Sequence, residues 1–388
     1  MPETRMFSTS NVDHLEIGDP APWFEAHTLA GASVNLGVVA GRWVALCFLN
    51  ELADAFSIGA LAELFGEAKL FNDDQLVFYG VLTKPPMSAG DLAQISHPAL
   101  GFITDYTGEI TRDFGALGSS RVVVLDPMLR VYGDFPIGPG KPPVAEICKF
   151  LRELPKVDDA AGVPLFAPAL VVPRVLEKKL CDYLVGLYER DGGVESGFMF
   201  DEGGRTSTIV NHSLKSRRDL ILTDTETRGM IRDRVVRRLL PAIERFFQFR
   251  PTRMDRYMVS CYDAETGGHF FRHRDNMNAG ARHRRFAVSI NLNKDYEGCD
   301  LMFPEFGRRL YRAPFGGAIV FSTGALHQVT PITSGKRYAF VPFLYGEEDA
   351  RQRIANNVLL QAGEGLYTGE NDRLFPDASE KLAGSFFR

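Results

Sequence analysis

Phe271-Arg272-His273-Arg274-Asp275 places a histidine and an aspartate two residues apart within a run that alternates with a period of two. In an extended strand, residues i and i+2 leave the same face, so these side chains would be neighbours. The same period holds outward from Arg256. Strands are predicted at Arg256–Tyr262, Phe270–Asp275, Arg285–Asn293, Asp300–Phe303, Arg308–Arg312, Gly317–Phe321, His327–Pro331 and Lys336–Tyr345, with Gly, Asn, Asp or Pro between them. Eight short strands so spaced predict a jelly-roll or barrel.

A histidine beside a carboxylate on one strand face suits two ligands of one metal ion. A 2-His-1-carboxylate facial triad is the form of non-haem iron(II) oxygenase sites, because three ligands on one side leave open positions for co-substrate and oxygen. His14-Leu15-Glu16 satisfies the same short pattern but stands ahead of any predicted sheet. The third ligand must therefore decide. Downstream of Asp275 the chain has only His283, in an arginine-rich turn read as solvent-facing, and His327, which opens a strand after Ser322-Thr323-Gly324. His273, Asp275 and His327 are the expected metal ligands.

Arg337 follows a Thr333-Ser334-Gly335 turn ten residues beyond His327. A guanidinium fork holds a carboxylate through two parallel charge-assisted hydrogen bonds, a geometry lysine cannot match. A dicarboxylic co-substrate such as 2-oxoglutarate, chelating the metal by its 2-oxo acid end, would need such a clamp for its distal carboxylate. Arg337, Ala339, Val341 and Phe343 share one predicted strand face, so small and apolar neighbours would keep the arginine desolvated.

From about Pro168 to Tyr345 the chain resembles the prolyl 4-hydroxylase-like branch of the 2-oxoglutarate oxygenases. The resemblance is carried in order by Cys261-Tyr262, Gly268, His273-Arg274-Asp275-Asn276, Asn291-Leu292-Asn293, Phe303-Pro304-Glu305, His327-Gln328-Val329-Thr330-Pro331 and Gly335-Lys336-Arg337. It implies a double-stranded β-helix (jelly-roll) with flanking helices. It also implies Fe(II), 2-oxoglutarate and O2 as cofactor and co-substrates, leaving L-ascorbate open. Tyr262 would line the co-substrate pocket, with Asn276 and Asn293 near the metal. The implied activity is hydroxylation of a C–H bond in a prolyl or other protein residue, or in a small metabolite, with 2-oxoglutarate decarboxylated to succinate and CO2. Two departures bear on the substrate: a tyrosine used by some animal prolyl hydroxylases falls on Ile290 by ungapped count, and Gly298-Cys299 stands where a glycine pair is usual. A reactive site needs cover from water; Asp191–Arg205 and Asn211–Asp219 are the candidate covering segments.

Upstream the pattern differs. Apolar runs at Trp43–Leu49, Leu76–Leu82 and Val122–Leu125 alternate with helical spacing at Leu52, Phe56, Leu61, Leu64 and Phe65, which predicts a sheet covered by helices. Gly18-Asp19-Pro20-Ala21-Pro22, Gly41-Arg42-Trp43-Val44 and Arg121–Asp126 resemble peroxiredoxin-type members of the thioredoxin fold. The position of that family's reactive cysteine holds Ser57 and its threonine position holds Asp54, so the resemblance implies a scaffold without peroxidase activity, suited to docking a partner. Cys47, inside an apolar strand, reads as a core thiol. The expected organisation is α+β with two domains: a thioredoxin-like domain over 1–156, a linker over 157–168, the oxygenase domain over 169–350 and a polar extension over 351–388.

Composition sets outer limits. Net charge is −5 over 388 residues, which supplies no general field for nucleic acid. Five widely spaced cysteines without a C-x-x-C pair argue against a disulfide framework or zinc knuckle, and the chain shows neither an apolar leader nor an eighteen-residue apolar run. A cytoplasmic location and no membrane partner are expected. The competing readings are a non-catalytic metal- or redox-sensing adaptor built on two worn enzyme folds, and a thiol peroxidase using Cys47.

Overall fold

The protein is described here from a computed structural model covering residues 15–49, 55–85, 100–141, 144–202, 205–360, 367 and 372–375. His14, Asp54, Gly203, Gly204 and most of the carboxy-terminal extension lie outside the described residues, as does the side chain of Ser57. The chain divides into two compact units, Met1–Ala167 with Phe303–Arg309, and Pro168–Met302 with Leu310–Arg388. No helix among the described residues is long and apolar enough to cross a membrane.

The first unit is built on a seven-stranded sheet in the order Ser33–Asn35, Glu25–Thr28, Leu100–Thr104, Leu76–Leu82, Trp43–Leu49, Ser120–Leu125, Val131–Ile137. Trp43–Leu49 is parallel to Leu76–Leu82 and antiparallel to Ser120–Leu125, and every one of its residues is buried. A strand covered on both faces needs a continuous apolar run, which is what WVALCFL supplies. Trp43, Ala45 and Cys47 meet Leu61 and Leu64 of the helix Ala55–Gly66 and Ile147 and Leu151 of the helix Val144–Arg152 in one core. Val157 belongs to that core too, so the expected linker begins inside the first unit.

The second unit has two principal sheets. The larger, ten-stranded one runs Arg253–Asp255, Phe343–Tyr345, Phe286–Asn291, Ile332–Phe340, Met258–Asp263, Arg218–Ile221, Val194–Glu195, with three further strands paired off this path. The smaller orders Lys215–Ser216, His269–His273, His327–Val329, Leu301–Met302, Leu310–Tyr311. One face of the larger sheet packs on helices through Val288, Ile290, Phe340, Leu184, Ile231 and Ile243. Its other face and the smaller sheet line a common cavity.

Several boundaries differ from expectation for identifiable reasons. Lys336–Tyr345 is two strands, because Pro342 has no N–H to give the ladder. Thr333-Ser334-Gly335 is no turn: the strand Ile332–Phe340 passes through it, with Gly335 at φ +73°, where an added Cβ would lie 2.6 Å from the Asp295 carbonyl oxygen. Asn211–Asp219 is not a cover either. It supplies the strands Lys215–Ser216 and Arg218–Ile221, and Lys215, Ser216 and Asp219 are buried. Asp191–Arg205 forms much of a hairpin, Phe198–Glu202 with Arg205–Ile209.

The expected long helix over Thr225–Phe247 exists with an irregular centre: Val235–Leu239 is a π-turn between Thr225–Arg234 and Leu240–Phe247. Apolar residues every four positions would drift about 40° per step around a regular helix. The wider turn absorbs that drift, and Ile231, Val235, Leu239 and Ile243 all reach one core. Pro241, unable to bond the Arg237 carbonyl, sits just beyond the wide turn, a usual place for such a defect.

Candidate metal centre

The strands His269–His273 and His327–Val329 pair antiparallel, with Phe270 opposite Val329 and His273 opposite His327. One strand spends three steps where the other spends two, so the ladder holds a bulge, and bulges re-aim side chains. The two imidazoles end up cross-strand partners with ring centroids 4.2 Å apart. Asp275 lies beyond the strand end, not on the strand as expected. Its N–H donates to the Thr323 carbonyl at 2.9 Å, and the Asp275 carbonyl accepts from Arg284 Nη1 at 3.1 Å. Its carboxylate oxygens stand 3.5 Å from His273 Nε2 and 3.4 Å from His327 Nε2. One ligand atom from each of the three residues falls within 4.8 Å of the others.

Hydrogen bonds orient both rings. His273 Nδ1 donates to the Phe271 carbonyl at 2.7 Å and His327 Nδ1 to the Ala325 carbonyl at 3.0 Å, when each carries its proton on Nδ1. That tautomer frees Nε2 as a ligand lone pair. Burial first, then the neighbouring His273, pushes His327 down to about 4, so it is neutral near pH 7. Burial alone would raise the Asp275 carboxyl, but His327, His273 and Arg284 hold it well below the usual carboxylate range. Two imidazoles and one carboxylate without thiolate are a donor set that suits a divalent non-haem iron. The residues therefore fit Fe(II).

Arg337 projects into the same cavity and is 4% exposed. Nε donates to Asn291 Oδ1 at 3.0 Å and Nη2 to Ser289 Oγ at 2.7 Å, while Nη1 is 3.8 Å from Cys299 Sγ. No carboxylate among the described residues pairs with it. Of five N–H groups, three are thus engaged, and one on each terminal nitrogen remains, a fork for an incoming carboxylate. Tyr262 is Arg337's partner across the ladder, 2% exposed, with the guanidinium 5.6 Å from its ring centre. The cavity of about 70 Å³ is also bordered by Phe321, Leu301 and Val329, whose apolar surfaces lower the local dielectric.

The remaining residues singled out from the sequence fall in several places. Asn293 clamps a strand, donating to the Lys336 carbonyl at 2.7 Å and accepting from the Tyr338 N–H at 2.9 Å, and does not line the cavity. Asn276 follows Asp275, with Oδ1 buried and without a hydrogen-bond partner. Ile290 faces the helix-packed core, so the residues facing Arg337 are Ser289 and Asn291. His283 is not solvent-facing. It is 1% exposed, its ring 5.0 Å from that of Tyr345 and its Nε2 3.7 Å from Asp255. Arg217, read as part of a cover, is a cavity wall bound to Asp219 at 2.7 Å. The alternation of Phe286–Asn291 could have identified Ser289 and Asn291; nothing in the sequence signals the others.

Cys47 is fully buried, and burial pushes its thiol up to about 12. A thiolate nucleophile is out of reach there.

Residues 257–345 match the 2OG-Fe(II) oxygenase superfamily. A PKHD-type hydroxylase of Synechococcus sp. (strain JA-2-3B'a(2-13)) is 30% identical over 129 residues, which cover 30% of this chain and 57% of that protein. A PKHD-type hydroxylase of Maricaulis maris is 31% identical over 147 residues, covering 37% of this chain and 64% of that protein. The chain thus spans between half and two thirds of the length of these relatives. The reduced 2-Cys peroxiredoxin of Plasmodium vivax aligns at 20% identity and a TM-score of 0.30, over 35% of this chain and 94% of that one.

Proposed function

We propose that the second unit, which carries the 2OG-Fe(II) oxygenase domain, hydroxylates a C–H bond of a protein residue or small metabolite while 2-oxoglutarate is decarboxylated. The carrying observation is one cavity that joins His273, Asp275 and His327 to a buried arginine with no carboxylate partner among the described residues. Fe(II), 2-oxoglutarate and O2 supply the oxidising chemistry when bound: one oxygen atom ends in the substrate hydroxyl, the other in succinate, and CO2 leaves. His273, Asp275 and His327 hold the metal on one side. Arg337 receives the distal carboxylate, with Asn291 and Ser289 fixing its plane. Tyr262 closes the wall beside it, and the apolar lining excludes water. The two sheets around this cavity support the jelly-roll reading. The relatives named as hydroxylases support the reaction class.

Within this proposal the first unit is a scaffold or docking module, and the protein works in the cytoplasm. Succinate formation is the test. It should require Fe(II) and 2-oxoglutarate together and vanish in His273→Ala. Succinate formed at an undiminished rate by that variant would overturn the proposal, and a purely adaptor role would show none from the wild type.

A further inference from the structure

A second cavity of about 180 Å³ adjoins the metal centre, walled by the hairpin at Met199 and Thr208, the turn at His283-Arg284, and the helix Glu347–Ala355 with the residues after it. Arg256, Arg284 and Arg353 all line it, and among its described walls the one carboxylate is Asp255. Asp255 is already committed, 3.1 Å from Arg353 Nη1. That leaves one carboxylate among the described walls to offset three guanidiniums, with Asp275 of the metal centre also acting on Arg256 and Arg284. Arg256 makes no hydrogen bond or ion pair with any described residue and lies over the Phe343 ring at 5.1 Å. Arg284 is 7% exposed, and its Nε is buried with no hydrogen-bond partner.

Both ring nitrogens of His283 are equally unpartnered, since Asp255 at 3.7 Å is too far for a hydrogen bond. Like charges gathered in a buried space repel, and desolvation adds to the cost. Arg256 also sits at φ +58°, a left-handed conformation that side chains other than those of Gly, Asn and Asp seldom hold. Backbone strain of this kind gathers at ligand-binding positions. Arg256 borders the metal cavity as well, so a group held here would have its remainder beside His273, Asp275 and His327.

We infer that this cavity binds a carboxylate of the substrate to be hydroxylated, paired with Arg256 and Arg284. The inference rests on the oxygenase reading and narrows it: the substrate is a carboxylic acid, presented to the metal by its acid group. A planar carboxylate suits two guanidinium forks, and the cavity has room for a group of few carbons. Free acids and acidic peptide side chains share this chemistry.

Two measurements on the full chain test it. In the first, thermal unfolding is followed in sodium acetate, phosphate and chloride at constant ionic strength, for the wild type, Arg256→Gly and Arg337→Met. Glycine suits the backbone at 256, so that variant should fold. Acetate should raise the midpoint of the wild type and of Arg337→Met, and the acetate needed for half the effect should rise at least tenfold in Arg256→Gly. An unchanged response in Arg256→Gly, no response in the wild type, loss of the response in Arg337→Met, or a stronger response to phosphate than to acetate would each overturn the proposal.

In the second, succinate formation is measured with amino acids and aliphatic acids beside their primary amides, and with Asp- or Glu-bearing peptides beside their Asn or Gln counterparts. Acids should stimulate with at least tenfold lower KM than amides, and the responding set identifies the source. Stimulation by amides alone would sink the substrate assignment and leave the oxygenase reading standing. An Arg256-dependent acetate response with no succinate in any arm would keep the anion site and remove that reading together with the substrate role.

Discussion

Replacing Arg337 by lysine and by methionine separates its charge from its fork. The two N–H groups left by Asn291, Ser289 and Cys299 are what a distal carboxylate can use. Hydrogen bonds to charged groups contribute about 1.5–3 kcal/mol each. Methionine removes both bonds, so 2-oxoglutarate affinity should fall by about 3–6 kcal/mol, or roughly 10²–10⁴-fold. Lysine keeps the charge and one bond, and the loss should be about 1.5–3 kcal/mol, roughly 10–10²-fold. Stability should behave differently. The arginine is a buried charge among neutral acceptors, so removing it relieves a desolvation cost while leaving the Ser289 and Asn291 acceptors unmet, and the unliganded methionine variant should unfold within about 2 kcal/mol of the wild type. The assay is equilibrium titration of 2-oxoglutarate into the Mn(II)-loaded chain, paired with urea unfolding of the metal-free chain. An unchanged affinity in the methionine variant would refute the clamp. So would an affinity loss matched by an equal loss of stability.

Removing the Asp275 or His327 side chain should weaken divalent metal binding by more than about 100-fold, since even groups hydrogen-bonded to metal ligands are worth about 10–100-fold; titration of Mn(II) followed by electron paramagnetic resonance measures it. Cys47, held at about 12 by burial, should resist an aromatic disulfide reagent in the native chain at pH 7.5, react once the chain is unfolded, and support no peroxide consumption. Burial would raise the Asp219 carboxyl, but Arg217 and Lys215 hold it well below its ordinary value. The stability it contributes is therefore present above the unfolded value of about 3.9 and lost as pH falls toward the depressed folded value. Denaturant midpoints of the wild type should drop below about pH 4 more steeply than those of Asp219→Asn, and parallel curves would contradict this.

Which parts of the molecule the sequence discloses follows from how each is specified. The histidine–aspartate spacing, the second histidine at a strand start and the arginine ten residues on are local signals, and the cavity contains all four residues. The burial of WVALCFL likewise follows from its composition. Strand parity, fixed by pairing with Ala318–Ser322, turns Ser289 and Asn291 toward Arg337, whereas a count without gaps points to Ile290 on the opposite face. Lys215 and Arg217 read as loop residues because polar side chains conceal a strand whose burial is set by partners distant in sequence. Arg256 is a backbone matter: no neighbouring residue announces a positive φ.

The π-turn at Val235–Leu239 makes this helix sensitive to length in a way its composition hides. Excising one residue there would restore regular winding. It would also rotate Thr225–Arg234 by about 100° relative to Leu240–Phe247, carry Ile231 out of the core and place Pro241 against an ordinary turn. Point substitutions at the exposed Arg237 and Arg238 leave that registration alone. Insertions and deletions should therefore be excluded from Val235 to Leu240 in any library that retains the fold, while Arg237 stays free to vary and Arg238 keeps its bonds to the Glu177 carboxylate and the Val175 carbonyl.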